Sequence, residues 1–304
     1  MTIDTDTAVD PTTPDRDGPA GRGVVAGFAA GTPIEDLVEP EELDGLDDLD
    51  GSHEIELVVL DMAGTTVRDD GLVERAFALA AERAGFAPEG TAREAALDYV
   101  RETMGQSKIE VFRVLTGDEE LAQRANDEFE RAYAELIAEV GVEAIPGAEA
   151  VIRALRGAGA SVVLTTGFSP STRDALLDAL GWHGLADHVL APAEAGRGRP
   201  HPDMPLTALL RTGTSSVDAM AVVGDTQSDM ASGVNAGAGL VVGVLTGAHG
   251  RDALEDAGAD EVIASIADLP ALLGLGDDAV EPIGTLARPA SATASGSDAD
   301  REWR

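Results

Sequence analysis

The chain has 304 residues, enough for one large domain or two modest ones with a sizeable core. Its formal net charge of −35 argues against binding to nucleic acid or to an anionic membrane surface. It has no cysteine, which excludes a disulfide framework, a thiol nucleophile and a thiolate metal site.

The charge pattern predicts a halophilic protein of the cytoplasm. Arginine supplies nearly all of the basic residues, and lysine occurs once, at Lys108. At molar salt the Debye length is only ~3 Å, so surface acids barely repel one another. No apolar run approaches the ~20 residues that span a bilayer, and the acidic N-terminus lacks a signal-peptide pattern.

Both ends of the chain are predicted to lack a fold of their own. Residues 1–50 are rich in Asp, Thr, Pro and Gly, and we predict an acidic, mostly disordered leader with one short helix near Ile34–Val38. Residues 276–304 are predicted to be a similar disordered tail. Periodic apolar runs place the folded part between these ends.

The first predicted element of the folded part is a buried strand that ends on an acid. Leu57–Leu60 is an apolar, β-branched run typical of a parallel strand, and Asp61 follows it. Ala63, Gly64 and Thr65 are small, so the backbone there can approach a ligand closely. Because ligands bind at the carboxyl ends of strands in an open α/β sheet, Asp61 suits a covalent nucleophile for phosphoryl groups. An Asp that caps the next helix or turn is the alternative, and this stretch alone does not decide.

Four helices follow with no strand predicted between them. They are expected at Val73–Ala84, Ala92–Met104, Gln106–Leu115 and Glu119–Val140. We therefore predict that residues 70–142 form a helical cap, inserted into an α/β core that consists of residues 51–69 and 143–275.

Strands and helices alternate in the second part of the core. Strands are predicted at Ser161–Leu164, His188–Leu190, Ala219–Val223, Gly239–Val244 and Glu261–Ile263, and helices before, between and after them. Repeating strand–helix units predict a doubly wound, Rossmann-like parallel sheet.

The strand ends carry the ligands expected of a magnesium site. Because strand ends converge, Asp61, Thr166 and Asp225 are expected to meet around one pocket. Asp61 and Asp225, with Asp229 one helical turn further on, offer hard oxygen ligands for one Mg²⁺. Taken alone, Asp225 could equally be a turn residue.

Three further residues suit the binding of phosphate. Thr166 offers a hydroxyl and Gly167 an unobstructed backbone N–H for phosphate oxygens. Arg199 offers a permanent cation that offsets phosphate charge. The alternative for Arg199 is a surface charge in a flexible loop.

Four stretches between residues 55 and 250 resemble the motifs of the haloacid dehalogenase superfamily. They are Asp61-Met-Ala-Gly-Thr, Thr165-Thr-Gly, Gly198-Arg-Pro and Gly224-Asp-Thr-Gln-Ser-Asp229. Asp-x-Ala-Gly-Thr resembles the phosphonoacetaldehyde hydrolases (phosphonatases) and their phosphonatase-like relatives. The resemblance implies a Mg²⁺-dependent hydrolase that forms an aspartyl phosphate on Asp61 and uses the carbonyl of Ala63 as a metal ligand. Most phosphatases of the superfamily have a second Asp at the position of Ala63, and general acid help of that kind contributes ~10²–10⁴-fold.

The single lysine lies in a segment that resembles the phosphonatase cap motif Met-Gly-x-x-Lys. In that family the lysine forms a Schiff base with the substrate aldehyde, which here implies Lys108. A neutral amine is required, and desolvation under a closed cap would lower the pKa from its usual ~10.4. Met104 is expected to lie on the same helix face and to shield the amine. An ordinary exposed helix lysine is the alternative.

Three positions depart from the phosphonatase pattern. Val111 replaces a usual His, Phe168 replaces a usual Tyr, and Gly71 lies where some members have a thiol. The polar groups usually at the first two positions help move protons during imine chemistry. Phe168 is nevertheless predicted to bind substrate with Met104, Thr166, Gly167 and Arg199.

The expected partner is a small phosphorylated or phosphonate molecule. The leading candidate reaction converts phosphonoacetaldehyde to acetaldehyde and phosphate. The alternatives are a small-molecule phosphatase, similar to phosphoglycolate phosphatases, in which Lys108 only pairs with an anionic substrate, and a non-catalytic binding protein. We expect no nucleic-acid partner and leave a homodimer open.

Overall fold

The structure is a computed structural model, and it describes residues 54–87 and 89–275. The predicted acidic leader, the short helix expected near Ile34–Val38 and the predicted tail lie outside the described residues. In the described part of the chain, no helix combines the length and the apolar character needed to cross a membrane.

A six-stranded parallel sheet forms the centre of the fold. Its strands lie side by side in the order β3-β2-β1-β4-β5-β6, which is the Rossmann order, with its switch point between β1 and β4. The predicted doubly wound α/β class is therefore confirmed. The strands are β1 (Leu57–Asp61), β2 (Ser161–Thr165), β3 (His188–Leu190), β4 (Met220–Gly224), β5 (Leu240–Val244) and β6 (Glu261–Ile263).

The continuous apolar run of β1 follows from burial on both faces of the sheet. Val58 and Leu60 pack into the core that includes Val151 of α5, whereas Leu57 and Val59 belong to the core on the opposite face. All five residues of β1 are buried. Helices cover both faces, so successive side chains must all be apolar rather than alternate with polar ones.

Helices connect the strands. They are α1 (Leu72–Ala84), α2 (Gly90–Glu102), α3 (Lys108–Thr116), α4 (Glu119–Val140), α5 (Ala148–Gly157), α6 (Pro170–Leu180), α7 (Pro192–Ala195), α8 (Asp203–Thr212), α9 (Gln227–Ala236), α10 (Arg251–Asp256) and α11 (Leu269–Leu272), with single 3₁₀ turns at Val217–Ala219 and Ile266–Asp268. Between β1 and β2 the described residues contain α1–α5 and no strand. Helices α1–α4 are called the α1–α4 segment below.

Aromatic side chains hold the α1–α4 segment together. Phe112 stacks on Phe77 with 4.9 Å between ring centroids and contacts Phe129 edge-on at 6.1 Å. Tyr133 of α4 packs on Phe168 of the core at 4.7 Å. With Phe86, these side chains form what we call the aromatic cluster. It includes five of the six phenylalanines of a chain that is only 3% aromatic, so the scarce rings are concentrated at one place.

The predicted start of one helix was wrong, and one short helix was missed. The helix expected at Gln106–Leu115 begins at Lys108, because Gly105 takes a left-handed conformation with φ of 84° and ends the preceding turn. A short helix at Pro192–Ala195 was not predicted. Pro192 at its start has no N–H to leave unsatisfied, and Glu194 caps the turn by accepting a hydrogen bond from the Ala191 N–H at 3.0 Å.

Candidate active site

The end of β1 places Asp61 at the switch point of the sheet. Asp61 is paired in register with Thr165 of β2 and is only 5% exposed. The chain then turns through Gly64, whose φ is 93°, and a Cβ there would lie 2.4 Å from an oxygen of Asp225. The small residues after the strand therefore let the Asp225 carboxylate approach the β1 loop.

Arg199 connects the groups at the strand ends. Its Nη1 lies 2.7 Å from Oδ1 of Asp61, its Nε 2.8 Å from Oδ1 of Asp229, and its Nη2 donates to Oγ1 of Thr165 at 2.6 Å. Burial opposes its charge, but the carboxylates of Asp229 and Asp61 outweigh burial and raise its pKa. Since Arg199 is 5% exposed, the alternative of a surface charge in a flexible loop does not apply.

Asp225 is held by two donors and is almost completely buried. Its Oδ1 accepts the Thr65 hydroxyl at 3.2 Å, and its Oδ2 accepts the backbone N–H of Ala248 at 2.7 Å. Burial, together with the nearby charge of Asp229, raises the pKa of Asp225 to about 7. Burial also raises the pKa of Asp61 well above its usual range, although Arg199 opposes the shift.

The three carboxylates form a set that fits a divalent cation. One oxygen from each of Asp61, Asp225 and Asp229 lies within 4.8 Å of the others, and all three residues are buried. Burial is the main reason why the pKa values of Asp61 and Asp225 are raised, and the negative charge of Asp229 adds to both shifts. Clustered hard oxygen donors of this kind suit Mg²⁺.

Asp229 differs from the other two acids in how its oxygens are used. Its Oδ2 accepts the backbone N–H of Thr226 at 3.1 Å and the Thr226 hydroxyl at 2.5 Å, which forms a capping box at the start of α9. Its Oδ1 is paired with Arg199. Both oxygens are therefore engaged, which favours a bracing role over direct contact with an ion.

The loop after β2 lies against the start of α3. The Thr166 hydroxyl accepts the N–H of Phe168 at 3.2 Å, and the carbonyl of Gly167 accepts the N–H of Lys108 at 3.3 Å. A Cβ at Gly167 would lie 2.5 Å from the carbonyl oxygen of Gln106. Only glycine allows this approach, which brings α3 down onto the strand ends.

Lys108 is buried at the first position of α3. It is 8% exposed, its Nζ lies 5.5 Å from the ring centroid of Phe168, and within the described residues it makes one long hydrogen bond, to the carbonyl of Gln106 at 3.5 Å. Burial lowers its pKa to about 8, against the opposing effect of Asp69 and Asp61. The alternative of an ordinary exposed helix lysine is therefore wrong.

A cavity of about 840 Å³ brings these residues together. Its wall includes Asp61, Ala63, Thr166, Gly167, Phe168, Arg199 and Asp225 from the core, and Met104 and Lys108 from the α1–α4 segment. Met104 does not share a helix face with Lys108 as predicted, because it lies in the turn before α3. It nevertheless lines the same cavity.

Residues 55–237 match the family of haloacid dehalogenase-like hydrolases. The chain belongs to the haloacid dehalogenase-like hydrolase family. Phosphonoacetaldehyde hydrolase of Bacillus cereus is 31% identical to it over 215 residues, which cover 64% of this chain and 76% of that protein. Phosphonoacetaldehyde hydrolase of Bacteroides fragilis is 29% identical over 260 residues, which cover 73% of this chain and 96% of that protein.

A solved structure supports the same membership. A phosphonoacetaldehyde hydrolase-like protein from Oleispira antarctica matches this chain with a TM-score of 0.63 and 27% identity, over 73% of this chain and 92% of that one. The prediction of a hydrolase of the haloacid dehalogenase superfamily with phosphonatase-like relatives is thus confirmed, and the alternative of a non-catalytic binding protein loses its support.

Three residues of this hydrolase's site were not predicted from the sequence. Thr165 anchors Arg199 from inside β2, and the strand register, which sets it opposite Asp61, is the signal that could have found it. Thr65 anchors Asp225, and it stands in the quoted motif. Asp69 lines the cavity near Lys108, and no pattern in the sequence distinguishes it from the many other acids.

Proposed function

We propose that this protein is a Mg²⁺-dependent, phosphonatase-like phosphohydrolase that converts phosphonoacetaldehyde to acetaldehyde and phosphate. The observation that carries the proposal is the burial of Lys108 beside the cavity that Asp61 lines, where the amine has a pKa of about 8. An amine with that pKa is neutral in about a tenth of molecules at pH 7, far more than an ordinary lysine with a pKa of ~10.4, and attack on an aldehyde requires the neutral form. The relatives named phosphonoacetaldehyde hydrolase support the same substrate.

The organic half of the substrate would react with the α1–α4 segment. In this proposal residues 70–142 are the cap, and residues 51–69 with 143–275 are the core. Lys108 attacks the aldehyde carbon, and loss of water gives an iminium ion conjugated to the C–P bond. The iminium accepts the electron pair of the C–P bond as that bond breaks. The leaving group therefore needs no general acid, which Ala63 could not provide.

The phosphoryl half would react with the core. Arg199 holds Oδ1 of Asp61, so the other carboxylate oxygen attacks phosphorus and forms an aspartyl phosphate, which water then hydrolyses. The Thr166 hydroxyl and the Gly167 N–H bind phosphoryl oxygens, and Arg199 offsets their charge. The enamine left on Lys108 takes a proton at carbon and is hydrolysed to acetaldehyde.

The acids at the strand ends would hold the metal. Asp61, Asp225 and the carbonyl of Ala63 are the proposed ligands of Mg²⁺, with Asp229 bracing Arg199 or completing the set. When bound, Mg²⁺ supplies positive charge that draws the carboxylate and the phosphoryl group together.

A second candidate is a small-molecule phosphatase without imine chemistry, similar to phosphoglycolate phosphatases. Val111 and Phe168 favour it, because both are 3% exposed and apolar at the positions where phosphonatases have His and Tyr. In that case Lys108 only pairs with an anionic group of the substrate.

Trapping with borohydride distinguishes the two candidates. The protein is incubated in high KCl and Mg²⁺ with phosphonoacetaldehyde or phosphoglycolate, phosphate release is measured, and borohydride is then added. We expect phosphate release from phosphonoacetaldehyde. We also expect a borohydride-reduced adduct on the peptide that contains Lys108, with the mass increase that the reduced imine predicts. Lys108→Arg is the matched control, because arginine keeps the charge but cannot form the imine. The Schiff-base reaction would be refuted if the protein hydrolysed phosphoglycolate and formed no adduct with phosphonoacetaldehyde.

A further inference from the structure

Asp69 stands at the cavity wall between β1 and the α1–α4 segment. Its Oδ1 accepts the N–H of Val73 at 3.1 Å, and its backbone carbonyl accepts the N–H of Leu72 at 2.8 Å, so the first turn of α1 fixes its position. Burial raises the pKa of its carboxyl group, although the hydrogen bond from Val73 and the charge of Lys108 oppose the shift. A carboxyl group with a raised pKa can hold a proton closer to neutral pH.

Asp69 is the acid that acts most strongly on Lys108. Asp69 contributes more than Asp61 or Asp225 to raising the pKa of that amine, whereas Arg199 lowers it. Asp61 and Arg199 are bound to each other, and Asp225 is bound by Thr65 and Ala248. We call Arg199, Asp61, Asp225 and Asp229, together with Thr165 and Thr166, the strand-end cluster. Asp69 is therefore an acid beside the cavity that does not belong to this cluster.

Three other described residues, Phe168, Val111 and Tyr133, offer Lys108 no group that exchanges a proton near neutral pH. Phe168 and Val111 are apolar. Tyr133 of α4 has a hydroxyl group near Asp69 and Asp61, but burial and those two acids raise its pKa far beyond the range in which it gives up a proton. Asp69 and Lys108 both line the 840 Å³ cavity, whose volume is large enough to admit a small carbonyl compound.

We propose that Asp69 is the proton-transfer group for imine formation on Lys108. The proposal rests on the Schiff-base reaction proposed above and names the residue that moves the protons in it. The neutral amine forms a C–N bond to the aldehyde carbon while the carbonyl π pair moves to oxygen. Asp69 takes a proton from nitrogen and returns it to that oxygen, giving a neutral carbinolamine. Asp69 then takes up one proton from solvent and gives it to the hydroxyl, the C–O bond breaks, water leaves, and the nitrogen lone pair completes the iminium beside the Asp69 carboxylate.

A merely electrostatic or structural role for Asp69 predicts a different result. Its negative charge favours the protonated form of Lys108, so neutralising that charge alone would lower the pKa of the amine and leave more of it neutral at pH 7. Imine formation would then become faster. Loss of proton transfer would instead make imine formation slower. The two roles therefore predict opposite changes in the rate of imine formation.

The test compares Asp69→Asn with Asp70→Asn. Asparagine at position 69 keeps an oxygen for the N–H of Val73 but cannot transfer a proton. Asp70 lies at the same cavity, is exposed and has φ of 44°, which asparagine tolerates, so its variant removes the same charge without the proposed role. Each protein is mixed with phosphonoacetaldehyde at pH 7 and quenched with borohydride at successive times. The adduct on Lys108 is measured by mass spectrometry, and hydrolysis of p-nitrophenyl phosphate, which contains no aldehyde, is measured in parallel.

We expect Asp69→Asn to slow adduct formation by roughly 10²-fold or more and to leave hydrolysis of p-nitrophenyl phosphate within about twofold of the wild type. Asp70→Asn should change neither. Adduct formation in Asp69→Asn as fast as in the wild type, or faster, would overturn the role of Asp69 and leave the Schiff base in place. Loss of p-nitrophenyl phosphate hydrolysis in parallel with the adduct would reduce Asp69 to a structural cap of α1. No adduct in the wild type would overturn the Schiff base itself and Asp69 with it.

Discussion

The strand-end cluster and the α1–α4 segment hold their functional groups by different forces. In the cluster, Arg199 contacts Asp61, Asp229 and Thr165 at 2.6–2.8 Å, so the guanidinium and two of the carboxylates hold each other in place. On the other side of the cavity, Lys108 has no such partner among the described residues and packs beside the ring of Phe168. One side of the cavity is held by ion pairs, whereas the amine of Lys108 on the other side is buried beside an aromatic ring.

This difference separates two kinds of chemistry within one cavity. Buried charges that hold each other suit a highly charged phosphoryl group, because they need no rearrangement when charge develops. An amine without a close anionic partner can lose its proton, which a reaction with a carbonyl compound requires. Phe168 of the aromatic cluster packs beside the amine of Lys108. Elsewhere in the α1–α4 segment, arginines form exposed ion pairs, such as Arg83 with Glu135, that contribute little to stability.

The largest effect is expected when the nucleophile is removed. Asp61→Asn keeps an oxygen for Arg199 but removes the attacking carboxylate, so phosphate release should fall by roughly 10⁴-fold or more from phosphonoacetaldehyde and from p-nitrophenyl phosphate alike. Phosphate release in steady state measures the loss. The borohydride adduct on Lys108 should still form, because imine formation does not involve Asp61. Loss of phosphate release from one substrate alone would contradict a phosphoryl site shared by both.

The sequence was most informative about the strand-end cluster. Asp61, Thr166 and Asp225 were predicted to meet because parallel strands end at one edge, a rule that holds for any doubly wound sheet. The sheet gives no such rule for the loop that contains Arg199, so its contacts with Asp61 and Asp229 could not be derived from spacing. Its permanent charge suggested that Arg199 offsets phosphate charge, and the family resemblance supported that assignment.

The sequence was least informative about where the α1–α4 segment touches the core. The burial of Lys108 depends on glycine at 105 and 167, where any side chain would collide with the facing residues. These contacts join parts of the chain that no local pattern relates. Asp69 was missed for the same reason, since an acid among 56 Asp and Glu residues is distinguished only by what it faces.

The second-largest effect is a pH-dependent loss of stability, which arises because Lys108 is buried. Its pKa is about 8 in the folded protein and ~10.4 in an unfolded chain, so the unfolded state binds more protons between these values. Below pH 8 the amine is mostly charged in the folded and in the unfolded protein. Burying that charge then lowers the free energy of unfolding by its full amount. Lys108→Met should therefore raise the free energy of unfolding by up to about 3 kcal/mol below pH 8, and the gain should shrink as the pH rises towards 10.

Denaturant unfolding of wild type and variant at pH 7 and pH 9.5 measures this change. Lys108→Arg serves as the control, because arginine stays charged throughout and its difference from Lys108→Met should not narrow with pH. If Lys108→Met raised the free energy of unfolding equally at both pH values, the amine would not be buried in its charged form at pH 7. The contrast between the two sides of the cavity would then lose its main support.

The smallest effect is expected at the metal site. Asp225→Asn keeps oxygen and nitrogen atoms of the same size near Thr65 and Ala248 but removes one of the charges proposed to hold Mg²⁺. We expect the Mg²⁺ concentration for half-maximal phosphate release to rise by roughly tenfold or more, equally for phosphonoacetaldehyde and p-nitrophenyl phosphate, while the adduct on Lys108 forms without added Mg²⁺. Titration of EDTA-treated protein with MgCl₂ gives these values, with Asp70→Asn as the control for lost charge at the cavity. If the Mg²⁺ concentration for half-maximal phosphate release did not change, Asp225 would be excluded as a ligand. If the adduct on Lys108 formed only with added Mg²⁺, the two sides of the cavity would not act separately.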